Sequence, residues 1–240
     1  EDGGVSLAMR IIGGRPDWRT PVLSSRIETV VLSPYWNIPP NIAEQEIVPL
    51  ARRDPGYLQR NEIRVVSGYG ASERTISPWA VNWSRYDPHG SSYRLRQDPG
   101  PENPLGAVKF IFPNRDQVYL HDTPGRSLFQ EPERAFSHGC MRMEKPLELA
   151  GMLLAEEGWD RGRIDAAIAR RRELAVPLRT PLPVHILYHT AWVDVADRLQ
   201  LRGDIYGHDR RLAAAMRGAA GPELSASSEG GCESVSVTPS

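Results

Sequence analysis

Residues 119–144 read YLHDTPGRSLFQEPERAFSHGCMRME. In YLHDT, strand alternation puts Tyr119 and His121 on one face and Leu120 and Asp122 on the other. If SHGCMRM is extended, His138, Cys140 and Arg142 share a face while Met141 and Met143 point into a core. Polar, reactive groups therefore collect on one side of two strands. Gly139, directly before Cys140, permits a close backbone approach, so the amides beside the sulfur can point outward toward an oxyanion.

A free thiol near its usual pKa is only a few per cent thiolate at neutral pH, so a catalytic cysteine needs a base or a cation beside it. His121 and His138 are both candidates for that base. Its second ring nitrogen needs an orienting acceptor, which a backbone carbonyl or the carboxylate at Asp122 could supply. Duller readings stand beside this one. An unpaired cysteine is often a small buried hydrophobe. His121, His138 and Cys140 could also ligate zinc, although no fourth ligand follows at a customary spacing. His185 and His189 read as strand histidines with ordinary partners. Lys109 and Lys145, the only lysines, sit in no motif that marks a Schiff-base nucleophile.

Outward from this centre, GAVKFIFP (106–113) and QVYLHDT (117–123) form a hairpin signal turning at residues 114–116. Upstream, RIETVVLSPYW (26–36) reads as a strand running into a turn, and residues 39–53 as a short helix kinked by Pro49. Residues 54–104 are rich in Gly, Pro, Ser, Arg and aromatics with weak periodicity. So long an irregular stretch reads as a lid, a binding loop or an inserted subdomain. Downstream, residues 145–158 and 160–174 read as helices, the second capped by Asp160. Strands are expected at 183–195 and 198–207. Residues 1–8 and the tail 218–240, poor in large apolar groups, are expected to be disordered.

The whole chain of 240 residues, 40% hydrophobic and 25% charged, can bury roughly 70% or more of its unfolded surface and needs no metal or disulfide to fold. Its 21 Gly and 21 Pro favour short strands and many loops over a helical bundle. With 29 basic and 30 acidic residues the net charge is -1, far from the excess that phosphate neutralisation requires, so nucleic acid is excluded as a partner. No window is apolar enough to span a membrane. Two cysteines, Cys140 and Cys232, are too few for a disulfide framework.

SHGCMR, preceded by an HDTP whose histidine lies nineteen residues before the cysteine, resembles the signature of the L,D-transpeptidase catalytic domain. MRIIGGRPDWRTPVLSSRIETVVLSPYWNIPPNIA, YLQRNEIRV, YLHDTPGRSLF, TAWVD and DIYG extend the resemblance over roughly residues 9–210, toward a long Gram-negative branch with an inserted capping subdomain. It implies an α+β fold: a β-rich catalytic domain of mixed sheets packed as a sandwich over 9–217, a few helices, and a lid or capping insertion at about 39–104. It also implies that Cys140 is the nucleophile and His121 the general base, with the Gly139 and Cys140 amides forming the oxyanion hole. Tyr119 would line the site, Arg142 would orient a substrate carboxylate or support the cysteine loop, His138 would shape that loop, and Asp122 is a further substrate-side candidate.

The implied reaction, without metal or cofactor, passes a peptidoglycan tetrapeptide stem through a thioester to a neighbouring stem, joining two diaminopimelate residues. With water as acceptor the same site would be an L,D-carboxypeptidase or a hydrolase. If Cys140 were merely structural, the domain would be a peptidoglycan-binding module. The resemblance further implies inhibition by carbapenems and a place in the periplasm, with an export signal or anchor expected upstream of Glu1.

Overall fold

The computed structural model describes residues 5–194 and 196–218. The expectations for residues 1–4 and for the tail beyond Gly218, Cys232 included, fall outside the described residues. In chain order, β1 (Ile11–Gly14) and β2 (Leu23–Leu32) lead to β3 (Trp36–Asn37). A helical run follows, made of α1 (Pro40–Ile42), a π-helical turn (Ala43–Ile47) and α2 (Val48–Arg53), and then α3 (Gly56–Arg60). Next come β4 (Ile63–Ser67), β5 (Arg74–Ile76), β6 (Tyr93–Gln97), β7 (Val108–Ile111), β8 (Leu120–His121), β9 (Ala135–Ser137) and β10 (Met141–Met143). The chain continues through α4 (Pro146–Ala155), α5 (Arg161–Ala169), β11 (Leu174–Ile186), β12 (Ala191–Val193), β13 (Leu199–Leu201) and α6 (His208–Met216). This is a strand-rich α+β fold.

Seven strands join in the order β11-β2-β7-β8-β10-β1-β9. The sheet is mixed: β8 runs parallel to β10 and β1 parallel to β9, while the other pairs are antiparallel. Ile27, Val30 and Leu32 of β2 and Val108 and Phe110 of β7 are buried with Met141 and Met143 of β10. Ala150 and Leu154 of α4 and Ile164 of α5 close over them. Helical spacing gives α4 its buried stripe, and α5 starts where the Asp160 side chain accepts the Arg163 amide at 2.7 Å. The β7–β8 hairpin is templated by one side chain: Asn114 accepts the Val118 amide at 3.0 Å and donates to the Phe112 and Val118 carbonyls. This is the use of Asn in a turn that its short amide permits.

One expectation takes definite form and two meet a different outcome. The stretch 54–104 is organised: β6, β4 and β5 extend from β3, in that order, as a four-stranded antiparallel sheet. Ile42, Ile47, Leu58, Val65, Trp83 and Leu95 form a second core beneath it, so that this sheet and the helical run at 40–60 make a second unit beside the seven-stranded sheet. The pattern is hard to see because β6 alternates Leu95 with Arg94 and Arg96, whose guanidiniums both reach Glu73. Second, the strand expected at 183–195 begins at Leu174 and ends at Ile186. Pro177, Pro181 and Pro183 disguise it, and the sheet accepts them because β11 lies on its edge. The helix expected to reach residue 174 accordingly stops at Ala169. Third, the strand expected at 198–207 shrinks to β13, and α6 follows unannounced. Among the described residues no helix is long and apolar enough to cross a membrane.

Candidate active site

Three adjacent strands deliver the site. Lys109 of β7 stands opposite His121 of β8, and His121 stands beside Arg142 of β10. Tyr119, two residues before His121, lies on the same face, its ring edge-on to the imidazole with centroids 5.7 Å apart. The Met141 amide donates to the Tyr119 carbonyl at 3.1 Å, which brings Cys140, one residue earlier, alongside Tyr119. Cys140 is only 4% exposed, and the Arg142 guanidinium feels its sulfur electrostatically. Alternation therefore places Tyr119, His121 and Arg142 on one face, while Cys140, one residue before β10, is buried in the main core with Met141 and Met143.

His121 is buried, and its Nδ1 meets the Asp122 carbonyl at 2.5 Å. A carbonyl only accepts, so Nδ1 carries the hydrogen and Nε2 keeps its lone pair. Burial, with the Arg142 and Lys109 cations adding to it against the carbonyl's opposing pull, pushes the imidazole pKa down to about 3. The resting ring is thus neutral. The sequence reading asked for a base or a cation beside the thiol; the structure holds a neutral imidazole with two cations on the neighbouring strands. Lys109, itself buried, stands 3.8 Å from Glu173 and 5.7 Å from the centre of the Tyr119 ring.

The loop between β9 and β10 carries the sulfur. Gly139 has φ of 110°, in the region that L side chains rarely enter. Ser137 Oγ donates to the Cys140 carbonyl at 2.5 Å and accepts the Gly139 amide at 3.2 Å. From the other side, Thr20 Oγ1 donates to the Gly139 carbonyl at 2.9 Å, and the Arg15 amide donates to the Ser137 carbonyl at 3.0 Å. The segment that supplies Arg15 and Thr20 turns so tightly that a Cβ on Gly14 would sit 1.9 Å from the Trp18 carbonyl oxygen. Glycine is required there by space.

His138 and Asp122 are placed differently from His121. The His138 ring is edge-on to Trp18, with centroids 4.8 Å apart, and its Nε2 lies 3.0 Å from Glu46 Oε1 on the π-helical turn of the second unit. Its pKa is lowered, chiefly by burial and also by Arg15 and Arg142, against the pull of Glu46. The Asp122 carboxylate accepts the Ala107 amide at 2.9 Å and Arg126 at 3.1 Å. It braces the start of β7, on the face opposite to His121, and it is the Asp122 backbone carbonyl that meets the imidazole.

Sequence reading missed Arg15, Trp18, Thr20, Glu46 and Ser137. Ser137 was visible as the first residue of SHGC; the others act from distant parts of the chain. His185, read as an ordinary strand histidine, is 2.8 Å from Ser24 Oγ through Nδ1. A cavity of about 530 Å³ is lined by Thr20 and Met141 from this neighbourhood, with Tyr188, Trp192, Arg202 and Tyr206 opposite. The size suits a small ligand or one end of a larger one.

The family model described as YkuD, the L,D-transpeptidase catalytic domain, matches residues 1–209. A Haemophilus influenzae protein named "Putative L,D-transpeptidase" is 36% identical over 211 residues, which are 88% of this chain and 42% of that protein. The chain thus spans less than half the length of the curated relative it matches.

Proposed function

The chain belongs to the L,D-transpeptidase catalytic-domain family, and from that footing we propose that it cross-links peptidoglycan through Cys140, joining one diaminopimelate residue directly to another. The observation that carries the reading is the arrangement on β8 and β10: a buried, neutral imidazole with its Nδ1 hydrogen on the Asp122 carbonyl, registered beside Arg142 and the cysteine strand.

His121 Nε2 takes the Cys140 proton as the sulfur attacks the carbonyl between diaminopimelate and the terminal D-alanine of a tetrapeptide stem. The tetrahedral oxyanion is met by the Cys140 amide and by that of Gly139, which trades its 3.2 Å bond to Ser137 Oγ for the stronger, charge-assisted one. On collapse, the carbon–nitrogen bond breaks, His121 returns the proton to the departing D-alanine nitrogen, and a thioester remains on Cys140. The side-chain amine of a second stem attacks the thioester and gives its proton to His121, which passes it to the leaving sulfur. Arg142 binds a stem carboxylate and Tyr119 lines the floor. No external energy source enters, because the thioester keeps the energy of the amide that was broken.

The second unit covers the site through Glu46 and keeps water from competing for the thioester. Such a substrate lies in the cell envelope, and the periplasm is the place of action. Carbapenem acylation of Cys140 follows from the same nucleophile and would appear as a mass increase on the intact protein.

Incubation with tetrapeptide-bearing disaccharides and mass spectrometry of the products tests the reading. Dimers are expected from the native chain and none from Cys140→Ala, which still folds. Tripeptide monomers without dimers would show water as the acceptor, and turnover by Cys140→Ala would overturn the proposal.

A further inference from the structure

Among the described residues, three contacts from other segments moor the cysteine loop. Two come from the segment beside it: Thr20 on the Gly139 carbonyl and the Arg15 amide on the Ser137 carbonyl. The third comes from the second unit, where Glu46 Oε1 stands 3.0 Å from His138 Nε2. Glu46 reaches the loop because of a local irregularity. Pro49 has no N–H for the Gln45 carbonyl and its ring crowds that carbonyl, and just before it the helix widens so that the Val48 amide bonds to the Ala43 carbonyl five residues back. Such π turns recur at functional positions. Trp18 packs edge-on against the same imidazole, so the ring has a wall on one side and a carboxylate at its tip. The charged groups acting on it are Glu46, Arg15 and Arg142, and Arg142 in turn feels both Glu46 and the Cys140 sulfur.

We propose that Glu46 is a positioning residue: by holding His138 it sets the 137–140 loop, so that the sulfur is presented to His121 only while the second unit is seated on the main sheet. The inference rests on the reading of Cys140 as nucleophile. It adds that the second unit acts on the reacting centre through one carboxylate, beyond covering it.

Loss of one such contact is expected to lower kcat about tenfold in Glu46→Ala, a change of the size one charge-assisted hydrogen bond supports, with KM moved less than about twofold because Glu46 does not touch the reacting atoms. Glu46→Gln, which keeps an acceptor oxygen, is expected to restore most of kcat. In the double variant with His138→Ala, Glu46→Ala is expected to add nothing further, as for residues acting in series. The His138 ring, followed by proton NMR, is expected to titrate at lower pH in Glu46→Gln than in the native chain.

Cys140 alkylation by iodoacetamide, measured on the Cys140 peptide so that Cys232 does not count, reads the same loop without the cross-linking reaction. A slowing in Glu46→Ala upholds the proposal even if the native chain makes no dimers. An unchanged alkylation rate and kcat in Glu46→Ala, or full additivity with His138→Ala, overturns it while leaving Cys140 as nucleophile intact.

Discussion

The end of β8 and the loop before β10 each hold an imidazole near Cys140, and the two surroundings could hardly differ more. His121 is sealed in a sheet, with a carbonyl on one nitrogen and two cations on neighbouring strands. His138 is half-buried at the seam between two cores, with a carboxylate on one nitrogen and an indole against its face. A carbonyl fixes a tautomer and asks for no charge; a carboxylate rewards protonation. The first setting leaves a lone pair available to take a proton from sulfur, and the second makes a tether. Chemical identity of the side chain thus says little until its acceptor is known.

The sharpest way to break this contrast is to remove each ring. His121→Ala is expected to lower the rate of dimer formation by about 10²-fold or more, as for loss of a general base, and His138→Ala only about tenfold, both read by product mass spectrometry. The reverse order would exchange the two roles.

Backbone strain in the loop gives the next effect. Gly139→Ala must hold φ of 110°, and is expected to lose about 1–3 kcal/mol of stability or to let the loop relax, seen as a lower melting temperature together with slower turnover. Retained stability and rate would mean that the loop conformation is not demanded by the site.

The pH dependence separates the histidines further. The His121 pKa lies near 3 when folded and at 6.5 otherwise, so the unfolded chain binds the extra proton between these values. Stability is therefore expected to be constant above about pH 6.5 and to fall as pH drops toward 3, with the depressed His138 acting in the same direction. The base works unprotonated, so the acid limb of the rate profile is expected well below pH 6.5. A limb at 6.5 would place a charged imidazole in the resting site.

The smallest expected change is Asp122→Asn. Because the carbonyl and not the carboxylate orients His121, turnover should stay within about threefold, while loss of the Arg126 pair lowers stability by about 1 kcal/mol, measured by denaturant unfolding. A hundredfold loss of rate would show that the carboxylate serves the base after all.

What the sequence disclosed was local. Alternation in YLHDT set Tyr119 and His121 on one face, Asn114 announced its turn, and Asp160 its helix, because each acts within a few residues of itself. The resemblance carried by SHGC supplied the expectation that His121 serves Cys140, which spacing alone left shared with His138. The edge strand escaped because its prolines forbid a central position and say nothing of an edge. The second sheet escaped because β3 finds β6 across some sixty residues, with arginines interrupting the apolar pattern. Glu46 could not have been found, since its reach depends on a widened helical turn and on a loop encoded far downstream.

The seven-stranded sheet narrows at β8 to Leu120 and His121 alone. On one flank β11, β2 and β7 form an antiparallel leaf; on the other β10, β1 and β9 form a mixed one, and these two residues carry the strand pairing between the leaves. His121 and, one residue before β10, Cys140 therefore stand at the spine of a book. Strand pairing is thinnest beside the candidate site, and the core that runs from Phe110 to Met141 and Met143 holds the two covers together there.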